Sequence, residues 1–132
     1  VKKEIDKLAW LYVDNGKLLN ARSKNKTLFY LPGGKREQGE SDKQALIREI
    51  KEEISVDLIP DSIKYAATFK AQADGENNDI IVKLTCYYAD FQGELVPAAE
   101  IEEIQFIDYE HKSLCSLGSI KVMEWLNSQQ LL

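Results

Sequence analysis

The chain is expected to fold as an α/β protein, an α/β/α sandwich with a mixed β-sheet between helices. Two observations lead there. Short β-rich segments interleave with two amphipathic helical segments without a regular βαβ period, which favours a mixed sheet with a helix on each face. At 132 residues, with 44% hydrophobic and 30% charged side chains, the chain can bury one core and is read as a single domain over 1–132. It carries no repeats, linkers or low-complexity tracts.

The elements follow from local pattern. Leu8 to Val13 is a short apolar strand, and Asp14-Asn15-Gly16 is a hairpin-type turn signal. Lys17 to Arg22 continues as a second strand, followed by a polar loop from Ser23 to Thr27. Leu28 to Leu31 leads into Pro32-Gly33-Gly34. There proline fixes φ, and two glycines let the backbone approach another group closely. A helix is expected from about Asp42 to Ile54. Ser41 can cap it, and Gln44 completes a capping-box pattern. Ile63 to Ala71 reads as a strand and residues 74–78 as a loop tip. Ile80 to Phe91 is the longest strand, where Val82, Leu84, Cys86 and Tyr88 alternate with Lys83, Thr85 and Tyr87. Gln92-Gly93 turns the chain, and Glu103 to Asp108 is the last strand. Ser119 to Gln129 is an amphipathic helix with Ile120, Met123 and Leu126 as core positions.

Charge and cysteine usage narrow the function classes. A net charge of −5 argues against a nucleic-acid polymer as partner. No signal peptide and no long apolar run is visible, so no membrane contact is expected. Cys86 and Cys115 belong to no C-x-x-C motif. They are read as reduced thiols of a cytoplasmic protein, with Cys86 buried in its strand. His111, the lone histidine, lies in a polar stretch and reads as a surface residue, and no Ser-His or Cys-His catalytic arrangement is visible.

The chemistry is concentrated in the first helix. Leu46, Ile47, Ile50 and Ile54 share one arc of about 100°, an ordinary core stripe. Glu49, Glu52 and Glu53 share a neighbouring arc of about the same width. Like charges at those spacings destabilise a bare helix. Packed carboxylates are also what a hard divalent cation such as Mg²⁺ prefers.

The pattern extends well beyond the carboxylates. Gly34, Glu40, Arg48-Glu49-Ile50, Glu52-Glu53 and Val56 fall at the spacing Gly-x5-Glu-x7-Arg-Glu-aliphatic-x-Glu-Glu-x-Gly-aliphatic, which resembles the Nudix box. One fixed position departs, with Ser55 standing where the family has its second glycine. A glycine there suits the left-handed residue that ends a helix, so the departure bears on how the helix stops and removes no carboxylate. The resemblance implies a Nudix-type α/β/α sandwich and hydrolysis of a nucleoside diphosphate linked to another group, with Mg²⁺ or Mn²⁺ as cofactor. It implies Glu49, Glu52 and Glu53 as metal ligands, with the carbonyl of Gly34 completing the shell. Glu49 is also one candidate base. Arg48 is implied to orient the carboxylates, and Glu40 to serve the scaffold.

Outside the box, relatives place an arginine on substrate phosphate where Arg22 stands, and Lys35 beside the glycine pair is a second phosphate candidate. No P-loop is present. Relatives often supply one more glutamate from the loop before the last strand. Glu100 is the choice here, with Glu102 and Glu103 as alternatives. The short chain with FYLPGGK running into the box most resembles the mutator-type nucleoside triphosphate pyrophosphohydrolases. Marks of the NADH, coenzyme A, ADP-ribose and dinucleoside polyphosphate hydrolases are absent after the box. So is the asparagine that reads oxidised guanine. The substrate is therefore expected to be a small nucleoside triphosphate or similar nucleoside diphosphate derivative, taken with broad preference, with Tyr30, Leu31, Tyr87 and the stretch around Leu117-Gly118 as base readers. ADP-ribose or a nucleotide sugar is the alternative substrate. A non-catalytic nucleotide-binding module is a further alternative, although such modules usually show broken box carboxylates and these are intact. The protein is expected to act as a monomer or homodimer.

Overall fold

The computed structural model describes residues 3–74 and 79–132, so the expected loop tip lies outside the described residues except at Asp74. The strands are β1 (Lys3–Leu11), β2 (Val13–Asp14), β3 (Lys17–Ser23), β4 (Gly33–Gly34), β5 (Asp57–Leu58), β6 (Lys64–Gln72), β7 (Ile80–Tyr88), β8 (Phe91–Gln92) and β9 (Ile101–Ile107). The helices are α1 (Asp42–Ile54) and α2 (Leu117–Ser128), with 3-10 turns at Pro60–Ser62 and Tyr109–Leu114. One sheet has the order β4-β1-β7-β6, a second has β2-β3-β9, and β5 pairs with β8. The first sheet is mixed, because β1 runs parallel to β7 while β4 and β6 are antiparallel to their neighbours.

Alternation along the strands divides the core in two. Leu8, Trp10 and Leu19 pack with Ala45, Leu46, Ile50 and Ile54 of α1. Ala9, Leu11, Leu18, Leu84 and Cys86 pack with Val122, Met123 and Leu126 of α2. Neighbouring residues of one strand thus serve opposite layers, as a period of two requires. The α/β/α sandwich is as expected. In α2 the core positions are Val122, Met123 and Leu126, while Ile120 is only half-buried. Cys86 and Cys115 are buried and unbridged. Among the described residues no helix is long and apolar enough to cross a membrane.

Several boundaries move for identifiable reasons. β1 begins at Lys3 instead of Leu8, because its polar first half is paired with β7 from Lys3↔Ile80 to Leu11↔Tyr88. That ladder satisfies the backbone whatever the side chains are. The expected Ile80 to Phe91 strand ends at Tyr88, and Phe91 and Gln92 pair separately with β5. β9 starts at Ile101 instead of Glu103, across a bulge at Arg22/Ser23. α2 starts earlier than Ser119, since Ser116 caps it by accepting from the Ser119 amide. The Asn15-Gly16 hairpin turn is as expected, with positive φ at both residues (53° and 71°).

The ends of α1 fix how this helix sits. Ser41 and Gln44 form a reciprocal capping box. Arg36 bridges Asp6 of β1 and Asp42 of the first helical turn, and the Tyr87 hydroxyl donates to Asp42 at 2.6 Å. At the other end, the Val96 and Ala98 amides donate to the Ile54 and Glu53 carbonyls at 3.1 and 2.9 Å. Those carbonyls have no partner inside the helix. Ser55 adopts φ 73°, the left-handed conformation expected for a helix-ending glycine. Its hydroxyl donates to the Val96 carbonyl at 2.9 Å. The serine thereby recovers in a hydrogen bond part of what its Cβ costs at positive φ.

Replacing Ser55 by glycine exchanges that hydrogen bond for backbone ease. Thermal unfolding should show Ser55→Gly within about 1 kcal/mol of wild type. Ser55→Ala, which loses the bond and keeps the Cβ, should be the less stable of the two. Turnover should be unaffected in both, and a large activity loss in Ser55→Gly would give Ser55 a role beyond ending the helix.

Candidate active site

The site is built where α1 meets the edge of the first sheet. β4 consists of two glycines paired with Leu8 and Ala9 of β1. At Gly33 (φ 148°) a Cβ would lie 2.0 Å from the Leu8 carbonyl oxygen, and at Gly34 one would lie 2.6 Å from the Glu49 carboxylate. No side chain fits at Gly33, and one at Gly34 would displace the Glu49 carboxylate. The close approach that the glycines were expected to allow is therefore between the sheet edge and the helix carboxylates.

Glu53 crosses this seam, and its carboxylate accepts the Gly33 amide at 3.1 Å. Burial pushes its pKa up to about 7, and the nearby Glu49 and Glu52 carboxylates act in the same direction. The Gly33 amide and Lys7 oppose the rise. Glu49 stands over Gly34 and accepts from Arg48 at 3.0 Å. Glu52 projects outward, more exposed, with the same guanidinium 3.5 Å away.

Arg48 organises the outer side of the helix. It donates to both oxygens of Glu40, at 2.7 and 2.8 Å, and to the Lys35 carbonyl at 3.1 Å. This bidentate pair ties the loop before α1 to the middle of the helix. The Arg48 guanidinium holds Glu40 down to about 2, helped by the Glu37 amide. Glu40 therefore serves the scaffold, and Arg48 touches two of the three helix carboxylates.

Among the described residues, no three acidic, histidine or cysteine side chains are grouped so as to hold a metal ion as they stand. The donor chemistry nevertheless fits a hard cation. Three carboxylates and a glycine carbonyl are oxygen donors, and Gly34 leaves beside Glu49 a space that any Cβ would fill. Glu53 is buried among like charges with one weak cationic neighbour. A divalent cation would relieve that arrangement.

A cleft of about 310 Å³ opens beside this seam. Tyr30, Leu31, Gly33, Gly34 and Glu53 line it, together with Lys7, Lys26, Ser116, Gly118 and Ser119. The Tyr30 backbone is locked to Ala21 by two hydrogen bonds of 2.8 Å, and burial raises the pKa of its phenol. Tyr87 was expected among the base readers, but its ring lies on the α1 side and its hydroxyl is taken by Asp42. Leu117 is exposed and lines a separate groove, whereas Gly118 faces the cleft.

The other expected residues stand outside the cleft wall. Arg22 is engaged by Glu102 at 2.7 Å, by Glu103 at 3.1 Å and by the Lys26 carbonyl at 3.0 Å. Glu102 and Glu103 thus pair with the arginine. Glu100 is exposed, and its carbonyl accepts the Lys24 amide at 2.8 Å. It sits on the segment whose upstream part caps α1. Lys35 is exposed at the helix side of the seam. Lys7 was not among the expected residues, although it sits on the inward alternation Ile5-Lys7-Ala9-Leu11. A lysine at such a position is the signal that could have found it.

The Glu40–Arg48 pair gives a pH signature. Glu40 is depressed in the folded chain, so its contribution is present above the ordinary value of 4.5 and is lost as pH falls toward about 2. Urea unfolding should show Glu40→Gln less stable than wild type at pH 7, with the gap narrowing steadily below about pH 4.5. A gap that stays constant with pH would mean that Glu40 acts through shape alone.

Comparison with known proteins identifies the family. The profile of the NUDIX domain matches residues 5–126. An ADP-ribose pyrophosphatase of Methanocaldococcus jannaschii is 31% identical over 120 residues, covering 86% of this chain and 69% of that protein. The solution structure of the Escherichia coli ORF135 protein superposes with a TM-score of 0.74 at 26% identity, covering 98% of this chain and 92% of that one. A MutT NUDIX hydrolase of Burkholderia pseudomallei gives a TM-score of 0.68 at 21% identity, over 83% and 86% of the two chains. The matched span takes in the glycine pair, all three helix carboxylates and every strand of the two larger sheets apart from the first two residues of β1, and the chain belongs to the Nudix family of hydrolases.

Proposed function

We propose that this chain is a Mg²⁺- or Mn²⁺-dependent pyrophosphohydrolase acting on a nucleoside diphosphate linked to another group, with a nucleoside triphosphate as the leading substrate. The observation that carries this reading is the continuity of the cleft with the Glu53–Gly33 seam. A nucleoside in the cleft would have its phosphates at the carboxylates.

Glu49, Glu52, Glu53 and the Gly34 carbonyl would hold the cation. When bound it would neutralise phosphate charge and lower the pKa of a water. Glu53 is held at the cleft edge by the Gly33 amide. Glu49 is kept over Gly34 by Arg48, and it is the candidate base that the family resemblance implies. Arg22, Lys35 and Glu100 are proposed to complete the site on the same ground. For Arg22 this would mean exchanging part of its pairing with Glu102 and Glu103 for phosphate.

Size favours a small substrate. A cleft of about 310 Å³ is near the lower end of small-molecule sites, about 300–1,000 Å³. It suits one nucleoside better than a two-ended molecule. ADP-ribose is the second reading, favoured by the relative named above, which is called an ADP-ribose pyrophosphatase. Steady-state kinetics with Mg²⁺ on nucleoside triphosphates, ADP-ribose, nucleotide sugars and dinucleoside polyphosphates decides between them. The expected result is a highest kcat/KM among the triphosphates. A value about tenfold higher for ADP-ribose or a nucleotide sugar reverses the substrate choice.

Glu53→Gln tests the site itself. Glutamine keeps the shape and can still accept the Gly33 amide, so the melting temperature should be preserved. The charge that would hold the cation is lost, and turnover should fall by about 10² or more. Turnover like wild type at saturating Mg²⁺ would assign the chemistry to another set of carboxylates.

A further inference from the structure

The face of β1 that looks toward α2 reads Ile5, Lys7, Ala9 and Leu11. Ala9 and Leu11 are buried in the core, while Ile5 and Lys7 come to the cleft. Lys7 is half-buried there and forms no hydrogen bond or ion pair with another described residue. An ammonium carries three donors, and holding it partly out of water without a partner is unfavourable. A lysine with no hydrogen-bond or ion-pair partner among the described residues, on a position that alternation assigns to the interior and that lines a cleft, calls for a ligand that comes and goes.

Its surroundings say what that ligand is. Gly33, Gly34 and Glu53 line the same cleft, and so does Lys26. Burial and the field of Lys35 both lower the Lys7 pKa, and Lys26 adds to this, whereas Glu53 and Glu49 raise it. Lys7 and Lys26 therefore line the same cleft, with Lys35 near enough to act on Lys7 through its field. A compact polyanion would satisfy the donors of Lys7 and relieve the mutual repulsion of the lysines.

We infer that Lys7 is a phosphate-binding residue, donating from the cleft wall to non-bridging oxygens of the substrate's phosphate chain. This rests on the reading that the cleft takes a nucleoside diphosphate derivative, and it adds a cation from β1 to the candidates at the rim. Lysine suits the task as a compact, mobile point charge on a flexible stem. Its contact with Glu53 is only through the field, so loss of the ammonium leaves the Glu53–Gly33 hydrogen bond in place.

Lys7→Met keeps the aliphatic stem and removes the charge. Three quantities are measured on the Mg²⁺-loaded protein: melting temperature, the Kd for inorganic pyrophosphate by calorimetry, and KM and kcat for the best nucleotide. The expected result is an unchanged or higher melting temperature and a pyrophosphate Kd raised about fivefold or more, with KM rising by more than kcat falls. Lys7→Arg should recover most of the affinity. Lys7→Gln replaces the methionine variant if that one does not fold. A pyrophosphate Kd raised by less than about fivefold overturns the inference. So does a lowered melting temperature with unchanged affinity, which would make Lys7 a structural partner of Glu53. If the wild type hydrolyses no nucleotide yet binds pyrophosphate through Lys7, the inference stands and the substrate reading falls. If the wild type hydrolyses nucleotides and Lys7→Met binds pyrophosphate like wild type, the inference alone falls. If the wild type binds no pyrophosphate and hydrolyses nothing, both fall.

Discussion

The close approach at Gly33 and Gly34 is the constraint on which the site depends. The Leu8 carbonyl on one side and the Glu49 carboxylate on the other occupy the space where a Cβ would stand. Removing both side chains lets a helix carry its carboxylates against a sheet edge. It also frees the Gly33 amide to meet Glu53. A side chain at Gly33 would push β4 from β1, and one at Gly34 would displace the Glu49 carboxylate from its place over the seam.

Both ends of α1 serve this placement. The capping box, the Arg36 bridge to Asp6 and Asp42, and the Tyr87–Asp42 bond hold the first turn against β1 and β7. The last turn is held by the segment before β9, which donates two amides to otherwise unpaired helix carbonyls. Between them, the Glu40–Arg48 pair spans from the loop to the helix. The like-charged row of Glu49, Glu52 and Glu53 is thus tolerated because packing and hydrogen bonds hold the helix in spite of it. Such local cost set against global support is what a functional site shows.

The three helix carboxylates have different surroundings. Burial raises the pKa of Glu53 against the pull of the Gly33 amide, Glu49 is held by Arg48, and Glu52 remains near solvent. Three residues of one type on one face of one helix therefore differ in electrostatic character. Their depth against the sheet edge sets the difference, and nothing in their spacing expresses it.

The sequence by itself determined what depends on near neighbours in the chain. The limits of α1, its Ser41–Gln44 cap, the left-handed Ser55 and the Asn15-Gly16 hairpin are local geometry, and each was legible from residue type and spacing. The carboxylate row and the two glycines were legible for the same reason. Long-range pairing decided the rest. β1 extends back to Lys3 only because β7 lies beside it, and the Tyr87 hydroxyl finds Asp42 only because β7 passes the first turn of α1. Arg22 meets Glu102 and Glu103 only because β3 and β9 are neighbours. Lys7 reaches the cleft because the α2-facing side of β1 opens there. Such contacts join residues far apart in sequence, where local propensity carries no information about the partner.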